Sequence, residues 1–187
     1  MSWLRTPSPE FSVRSAESVP SPCCGERLKV IGSRLRCYIN NASESVKLKF
    51  RRLRCIQCDR IHHELPDLLV PYKRYDAESI EKAVMNLATT DVPVDESTLH
   101  RWNSWVHTLA PYWLGCLASI ARRYGQDPVI PSSKDSQPAL HRIGQVVGNA
   151  IHWLARVVRP ITNMNLWIHT RSAFLSEHSS DKLMEES

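Results

Sequence analysis

Long apolar runs are missing from this sequence. No stretch of its 187 residues approaches the about 18 consecutive apolar residues that identify a transmembrane helix, so we expect no membrane-spanning segment. The first residues, Met1-Ser-Trp-Leu-Arg-Thr-Pro, also lack the basic stretch followed by an apolar stretch that marks a secretory signal. We therefore expect a cytoplasmic protein, in which cysteines are reduced or bind metal rather than form disulfides.

Features of a catalytic site are also scarce. The sequence contains no glycine-rich phosphate-binding loop, and its histidines are too scattered to indicate a nucleophile paired with a base. A two-metal nuclease needs several carboxylates on a folded core, but the acidic residues after residue 101 lie in a linker, at Asp127 and Asp135, or in the C-terminal tail. We therefore expect a protein that is not an enzyme and has no small-molecule substrate.

Positive charge is present but unevenly distributed. The chain has a formal net charge of +5, whereas residues 27–60 contain ten Lys or Arg and two acidic residues. Charge concentrated in this way predicts a polyanionic partner, and the alternative is an ordinary solvated basic face.

The basic region has the pattern of short β-strands. We predict strands at Leu28–Ile31, Leu35–Ile39 and Val46–Arg51, with turn residues at 40–44 between the last two. In the third strand apolar and basic residues alternate strictly, which places Lys47, Lys49 and Arg51 on one face. Residues 1–20 contain prolines and serines with few apolar positions and are predicted to be a loose leader.

The remainder of the chain has helical periodicity. Asp76 is a predicted N-cap for a helix that reaches Leu87, and Asp95 caps a second helix that contains Leu99, Trp102 and Val106. Pro111 is predicted to start a third helix, which ends near Tyr124. The longest helix is predicted at Leu140–Val158, ended by Pro160, with a last short helix over 165–176. The predicted organisation is a leader (1–20), a zinc-ribbon-like domain (21–70), a helix-turn-helix region (71–125), a linker (126–138), C-terminal helices (139–176) and a polar tail (177–187).

Six cysteines raise the question of a metal site. Cys55 and Cys58 form a C-x2-C pair, whose two thiolates can reach one zinc ion from a tight turn. Upstream, Cys24 followed by glycine resembles the second half of a partner knuckle, but Ser21 occupies the position of its first ligand. We predict a site built from Cys24, Cys55 and Cys58, with His62, His63 or water as the fourth group and with zinc weakly bound or absent. Cys23 could replace Ser21 through a shift in register, although adjacent cysteines rarely bind one tetrahedral ion together. Two incidental cysteines at 55 and 58 remain the alternative to a metal site.

The segment that follows Asp95 is typical of a recognition helix. Ser97, Thr98, His100 and Arg101 are predicted to point outward, which suits phosphate and base-edge contacts, while the apolar residues face a core. An ordinary helical hairpin is the alternative.

Three segments together resemble a known family. The segments are Gly25-Glu-Arg-Leu-Lys-Val-Ile, Arg52-Leu-Arg-Cys-Ile-Gln-Cys-Asp-Arg-Ile-His-His-Glu-Leu-Pro-Asp and Val70-Pro-Tyr-Lys-Arg-Tyr-Asp. They resemble an uncharacterised bacterial zinc-ribbon family that is itself similar to the N-terminal part of insertion-sequence transposases. The resemblance, which extends over about residues 21–176, implies a zinc ribbon, a helix-turn-helix and association with DNA or mobile elements, without an established activity. Ser21 departs from the family pattern.

The sequence thus predicts an α+β protein, in which a small N-terminal β zinc ribbon precedes an α-helical domain with a helix-turn-helix. The predicted function is non-catalytic binding of duplex DNA, and the alternatives are a protein–protein interaction module or a decayed transposase fragment. The predicted DNA contacts are Lys47, Lys49, Arg51, Arg52, Arg54, Ser97, Thr98, His100 and Arg101.

Overall fold

The protein is an α+β structure, as predicted. A computed structural model describes residues 10–13, 20–85, 94–129, 131, 138–167, 173–176 and 183–185. The strands are β1 (Glu10–Val13), β2 (Leu28–Ile39), β3 (Ser45–Cys55), β4 (Ile61–Pro66), β5 (Ala173–Ser176) and β6 (Leu183–Glu185). The helices are α1 (Ala77–Val84), α2 (Glu96–Arg123), α3 (Ala139–Val147) and α4 (Trp153–Asn163).

Strand β3 organises the sheet. Its whole length pairs with β2 in antiparallel fashion on one edge. On the other edge, β1 runs parallel to residues 47–49 and β4 runs antiparallel to residues 52–54. The predicted alternation is confirmed, because Val46, Leu48 and Phe50 are buried toward the helices, whereas the basic residues between them are partly exposed.

Two predictions about the strands are wrong. The strands predicted at 28–31 and 35–39 form one strand, because continuous pairing with β3 carries β2 through an irregularity between Val30 and Gly32. Gly32 has a φ of +147°, a backbone conformation that side chains disfavour. The predicted loose leader contains β1, whose pairing with β3 places Val13 in the core.

The helix boundaries also differ from the prediction. Helix α2 is 28 residues long and continues through Pro111. Proline removes the hydrogen bond to the carbonyl of His107, but Pro111 and His107 are both exposed, so water can bind that carbonyl instead. The helix predicted at Leu140–Val158 is instead divided into α3 and α4. Gly148 ends α3 with a φ of +83°, and Pro160 lies inside α4.

The segment predicted as a last helix, 165–176, ends in strand β5, which pairs in parallel with β4. Part of the predicted polar tail forms β6, which pairs with β1. Leu87 and most of the residues between α1 and α2 lie outside the described residues, so the helix-turn-helix and the domain boundaries stay predictions.

A buried carboxylate ties two helices together. Glu81 of α1 accepts hydrogen bonds from the backbone N–H groups of His152 and Leu154, at 2.8 and 2.7 Å, and so caps the start of α4. Burial raises the pKa of Glu81, although these two hydrogen bonds oppose the shift. The cap and the shared apolar core fix the helices against the sheet. In the described part of the chain, every helix is too short or too polar to cross a membrane.

Candidate functional site

Four cysteines from two loops meet at one end of the sheet. The sulfur atoms of Cys23, Cys24, Cys55 and Cys58 all lie within 4.8 Å of one another, and we call this group the cysteine cluster. Cys55 ends β3 and Cys58 lies in the turn that follows, where its N–H group is 3.4 Å from the Cys55 sulfur. The cluster could hold a metal ion.

Backbone hydrogen bonds shape both loops. In the first loop, the Ser21 carbonyl accepts hydrogen bonds from the N–H groups of Cys24 and Gly25, at 3.3 and 2.8 Å. Gly25 has a φ of +82°, which glycine adopts at low cost in such a turn. The second loop is joined to the first by a hydrogen bond from the Ile56 N–H group to the Arg27 carbonyl. The loops are therefore held side by side by the backbone as well as by the cysteines.

The sulfur separations suit one tetrahedral ion. Zn–S bonds of about 2.3 Å at tetrahedral angles place sulfurs about 3.8 Å apart. The sulfur of Cys24 is 3.3 Å from that of Cys55 and 3.9 Å from that of Cys23. Small side-chain adjustments would therefore bring all four sulfurs to bonding distance of one ion.

Without a metal, the pKa values of the Cys55 and Cys58 thiols are shifted in opposite directions. The neighbouring Cys24 thiol raises the pKa of Cys58 to about 12. In contrast, hydrogen bonds from the Ser21 hydroxyl and the Cys58 N–H group lower the pKa of Cys55 to about 6. A bound cation would remove the repulsion that opposes deprotonation of the remaining thiols.

The fourth member of the cluster differs from the prediction. The structure brings together the predicted Cys24, Cys55 and Cys58, but it adds Cys23 instead of His62 or His63. Adjacent cysteines rarely bind one tetrahedral ion together, but here the tight turn at 21–25 brings the sulfurs of Cys23 and Cys24 into the same cluster.

Ser21 lies between the cysteine cluster and His62. Its buried hydroxyl is 2.8 Å from the Cys23 sulfur and 3.4 Å from the Nε2 atom of His62. Burial lowers the pKa of His62, whose ring is therefore neutral near pH 7. Ser21 therefore contacts the cluster without being one of its thiols. The cluster has four thiols, although Ser21 occupies the position where the knuckle pattern has a cysteine.

The predicted DNA-binding residues of β3 do not share one surface. Lys47 and Lys49 lie on the outer face of the sheet, whereas Arg52 and Arg54 lie on the opposite face, since their side chains alternate with the buried Leu53. Arg51 binds the buried Glu64 through two hydrogen bonds of 2.5 and 2.6 Å. Arg51 is therefore engaged within the protein, and the expectation that it grips phosphate jointly with Lys47 and Lys49 is not supported by this geometry.

A pocket of about 340 Å³ lies where β2 meets the loop after β4, and we call it the basic pocket. Its cationic side chains are those of Arg34, Arg36, Lys73 and Arg74. The described residues that line it include no Asp or Glu. Burial lowers the pKa of both Arg36 and Lys73, so their charges are poorly solvated. Such a pocket favours an anionic ligand.

The rim of the basic pocket contains an unusual turn. The N–H group of Lys73 donates to the Val70 carbonyl at 3.1 Å, and Pro71 and Tyr72 are the central residues of this turn. Tyr72 has a φ of +64°, at a position where such turns favour glycine or asparagine, yet its side chain is 73% exposed. Backbone strain of about 1–2 kcal/mol is thus accepted for a side chain that adds little to the core.

The start of α2 continues this surface. Asp95 caps the helix, Ser97, His100 and Arg101 are exposed, and Thr98 is half-buried. The predicted inward orientation of Trp102 and Val106 is confirmed, since both are buried. Arg101 donates to the hydroxyl of Thr98 at 2.7 Å and to the Ser97 carbonyl at 3.2 Å, which orders its side chain along the helix.

Lys73 links the basic pocket to α2. Its Nζ atom lies 4.0 Å from the centre of the Trp105 ring, a cation–π contact. Trp105 in turn lines a shallow depression on α2 together with His100, Arg101, Ser104, Thr108 and Leu109. Lys73 and Arg101 thus both lie beside Trp105, and the positive charge of Arg101 contributes to the lowered pKa of Lys73. The pocket and the helix start therefore form one surface, which we call the basic surface.

Sequence reasoning missed most of the basic pocket. Arg34 and Arg36 could have been recognised as sharing one face of β2, because they are two residues apart in a strand. The segment Val70-Pro-Tyr-Lys-Arg also combined a turn with a bulky residue and two cations. The signal that was missing is the proximity of these two segments, which only the fold supplies.

One family shows similarity to part of the chain. A family model described as "Domain of unknown function (DUF6431)" matches residues 21–102, which is less than half of the chain. No curated protein and no solved structure matches the sequence. The matched segment contains the whole cysteine cluster and every residue that lines the basic pocket. Both features therefore lie in the part of the chain that is similar to this domain of unknown function.

Proposed function

We propose that the protein is a zinc-stabilised, non-catalytic DNA-binding protein whose basic surface contacts duplex DNA. The observation that carries the DNA proposal is the basic pocket, which gathers four cations from two segments, has no acidic residue among its described lining, and adjoins Arg101 at the start of α2. We further propose a cytoplasmic location and an origin from transposase parts. The location is supported by the free thiols, and the origin by the sequence resemblance alone.

Zinc is the metal that suits the cysteine cluster best. Four thiolates in a tetrahedral arrangement favour zinc, which has no redox chemistry and no competing geometric preference. Four protein ligands leave no open coordination position, so the ion would have a structural role. It would fasten the turn at 21–25 to the end of β3.

Substitution of Cys23 by serine tests the composition of the metal site. Structural zinc sites contribute about 10–16 kcal/mol, so we expect loss of one thiolate to weaken zinc binding more than about 100-fold. The measurement is a competition titration with a chromophoric chelator, together with cobalt spectra that report the number of thiolates. Cys37→Ser is the matched control, because Cys37 is an exposed thiol outside the cluster. Full affinity in Cys23→Ser combined with weak binding in His62→Asn would instead restore histidine as the fourth ligand.

DNA would meet the basic surface mainly through its phosphates. Arg34 and Arg74 are exposed residues that line the basic pocket, and Arg101 is exposed six residues beyond the Asp95 cap of α2. Arginine at the start of a helix can reach both phosphates and guanine edges in the major groove. We therefore assign phosphate contacts to the pocket and sequence discrimination to the start of α2.

The salt dependence of binding tests this assignment. Each neutralised phosphate changes the logarithm of affinity by about 0.9 per decade of salt, so Arg34→Ser combined with Arg74→Ser should flatten the slope by about two units. Arg122→Ser combined with Arg123→Ser is the matched control. These arginines are exposed at the far end of α2, about 30 Å along the helix from Arg101. We would titrate a labelled duplex at several salt concentrations.

Three outcomes would change the assignment. An unchanged slope in the Arg34/Arg74 variant would remove the basic pocket from the DNA interface. If Lys47→Ser lowers the affinity for DNA as much as the Arg34/Arg74 variant does, the phosphate contacts would be assigned to the outer face of the sheet. Absence of DNA retention in the wild-type protein, at low salt and with zinc bound, would favour the alternative of a protein–protein interaction module.

A further inference from the structure

We infer that the basic pocket receives a single unpaired nucleotide at the end of a DNA strand, with its phosphate beside Arg34 and Arg74 and its base beside Tyr72. The inference rests on the proposed DNA-binding function and specifies which part of the DNA the pocket takes. It would make the protein a reader of strand ends or junctions rather than of continuous duplex alone.

The size of the basic pocket favours a nucleotide. Its volume of about 340 Å³ lies at the lower end of the range for small-ligand pockets, which is about 300–1,000 Å³. A phosphate group alone would leave most of this space unfilled. A base pair within a continuous duplex cannot enter, because both of its strands continue on either side. One unpaired nucleotide matches the available space.

The chemistry of the lining has two parts. Among the cations of the lining, Arg34 and Arg74 are exposed, and Arg36 is held in place by donating hydrogen bonds to the backbone carbonyls of Val70 and Lys73. The lining also includes apolar groups, among them Phe50, which packs against the His63 ring with 5.4 Å between the centroids. A cationic part next to an aromatic part is the combination that binds a phosphate and its base together.

Tyr72 is the residue on which base stacking would depend. Its ring is exposed at the rim of the pocket, and its backbone stays in the left-handed region although glycine or asparagine would fit there without strain. A side chain kept at such a position and not used for packing points to contact with a ligand. Aromatic rings accept any base, because every base has a flat face.

The position of the pocket connects it with the proposed duplex contacts. Lys73 lines the pocket and also lies over Trp105, which belongs to the depression beside Arg101 on α2. DNA held at the start of α2 therefore has a path of positive charge that leads into the pocket. A strand end that leaves the duplex would follow this path.

The test compares duplexes that differ only at one end. Wild-type protein with zinc would be titrated with a blunt labelled duplex, with the same duplex carrying a 5′-phosphate, and with the same duplex carrying a two-nucleotide overhang that contains 2-aminopurine. We expect the overhang to raise affinity about tenfold and to change the 2-aminopurine fluorescence as the base stacks. Tyr72→Asn should abolish most of this gain, so that the variant binds the overhanging and blunt duplexes with similar affinity.

Controls separate the pocket from general effects. Asparagine tolerates the left-handed backbone, so Tyr72→Asn should melt at the same temperature as wild type or higher. Tyr124→Asn removes another exposed tyrosine, at the end of α2, and should keep the overhang preference. Both variants change one ring to one amide.

The possible failures are distinguishable. Equal affinity of the wild type for blunt and overhanging duplexes overturns the nucleotide pocket, while the proposed duplex binding stands. A full gain from the 5′-phosphate alone, or an overhang preference that survives Tyr72→Asn, also overturns it. Binding of the overhanging duplex without any binding of the blunt one supports the pocket and rejects the duplex proposal. Binding of neither rejects both.

Discussion

Chelation of the metal should release the end of the sheet that carries the cysteine cluster. This end has little apolar support, because residues 24–27 and 56–60 are exposed to solvent. The sheet–helix core is formed elsewhere, by residues such as Leu48, Ile80 and Leu154. The free energy that holds the two loops together would therefore come largely from the metal.

Hydrogen exchange can resolve this effect residue by residue. After treatment with a strong chelator, the Ser21 and Cys55 N–H groups, which close the two loops, and the Ile56 N–H group, which joins them, should lose protection about 1,000-fold or more. Such a change corresponds to about 4 kcal/mol, which is below the range for structural zinc. The Leu154 N–H group, which donates to Glu81 in the helical core, should keep its protection and serves as the internal control.

Readdition of zinc should restore the lost protection, and Cys55→Ser should reproduce the effect of the chelator. Cys37→Ser should have no such effect, because Cys37 lies outside the cluster. Identical exchange rates with and without chelator would show that the loops are stable on their own, and the proposal of a structural metal would then fail.

The metal site shows how far local sequence patterns reach. The C-x2-C pair at Cys55 and Cys58 predicts a knuckle because both ligands lie in one turn, and the alternation in β3 predicts which of its residues are buried. The contribution of Cys23 depends on how the turn at 21–25 directs two adjacent side chains, which spacing alone does not determine. Three of the four clustered cysteines were therefore accessible from sequence.

The helices show a similar limit. Proline favours a helix start at 111, but Pro111 and His107 are both exposed, so water can satisfy the His107 carbonyl that loses its donor. A break was not predicted near Gly148, where the left-handed backbone and the distant Glu81 carboxylate end one helix and start the next. Helix boundaries in this protein are decided by solvent exposure and by tertiary caps, neither of which is visible in local periodicity.

The basic residues of β3 lead to a second large expected effect. Arg51 was predicted to bind DNA, but its guanidinium forms a bidentate pair with Glu64, whose side chain is fully buried. The hydrogen bonds to this carboxylate raise the pKa of Arg51, so its guanidinium stays protonated. Removal of one partner from a buried pair costs about 3–5 kcal/mol, because the other charge stays in the interior without it.

We therefore expect Arg51→Ala to lower the free energy of unfolding by about 3 kcal/mol, the lower end of that range, since part of the arginine is exposed. Lys47→Ala, on the same face of the same strand, should cost less than about 1 kcal/mol and is the matched control. Urea denaturation of the zinc-bound variants measures both values.

A double substitution separates pairing from packing. Replacement of both Arg51 and Glu64 by leucine should recover most of the stability that Arg51→Ala loses, because an apolar pair of similar volume often substitutes for a buried ion pair. If Arg51→Ala costs no more than Lys47→Ala, the pair contributes little, and Arg51 returns to the set of residues available to DNA. If it costs the expected amount while the salt slope of DNA binding stays unchanged, the charge of Arg51 serves the fold, and the DNA contacts belong to cations elsewhere on the protein.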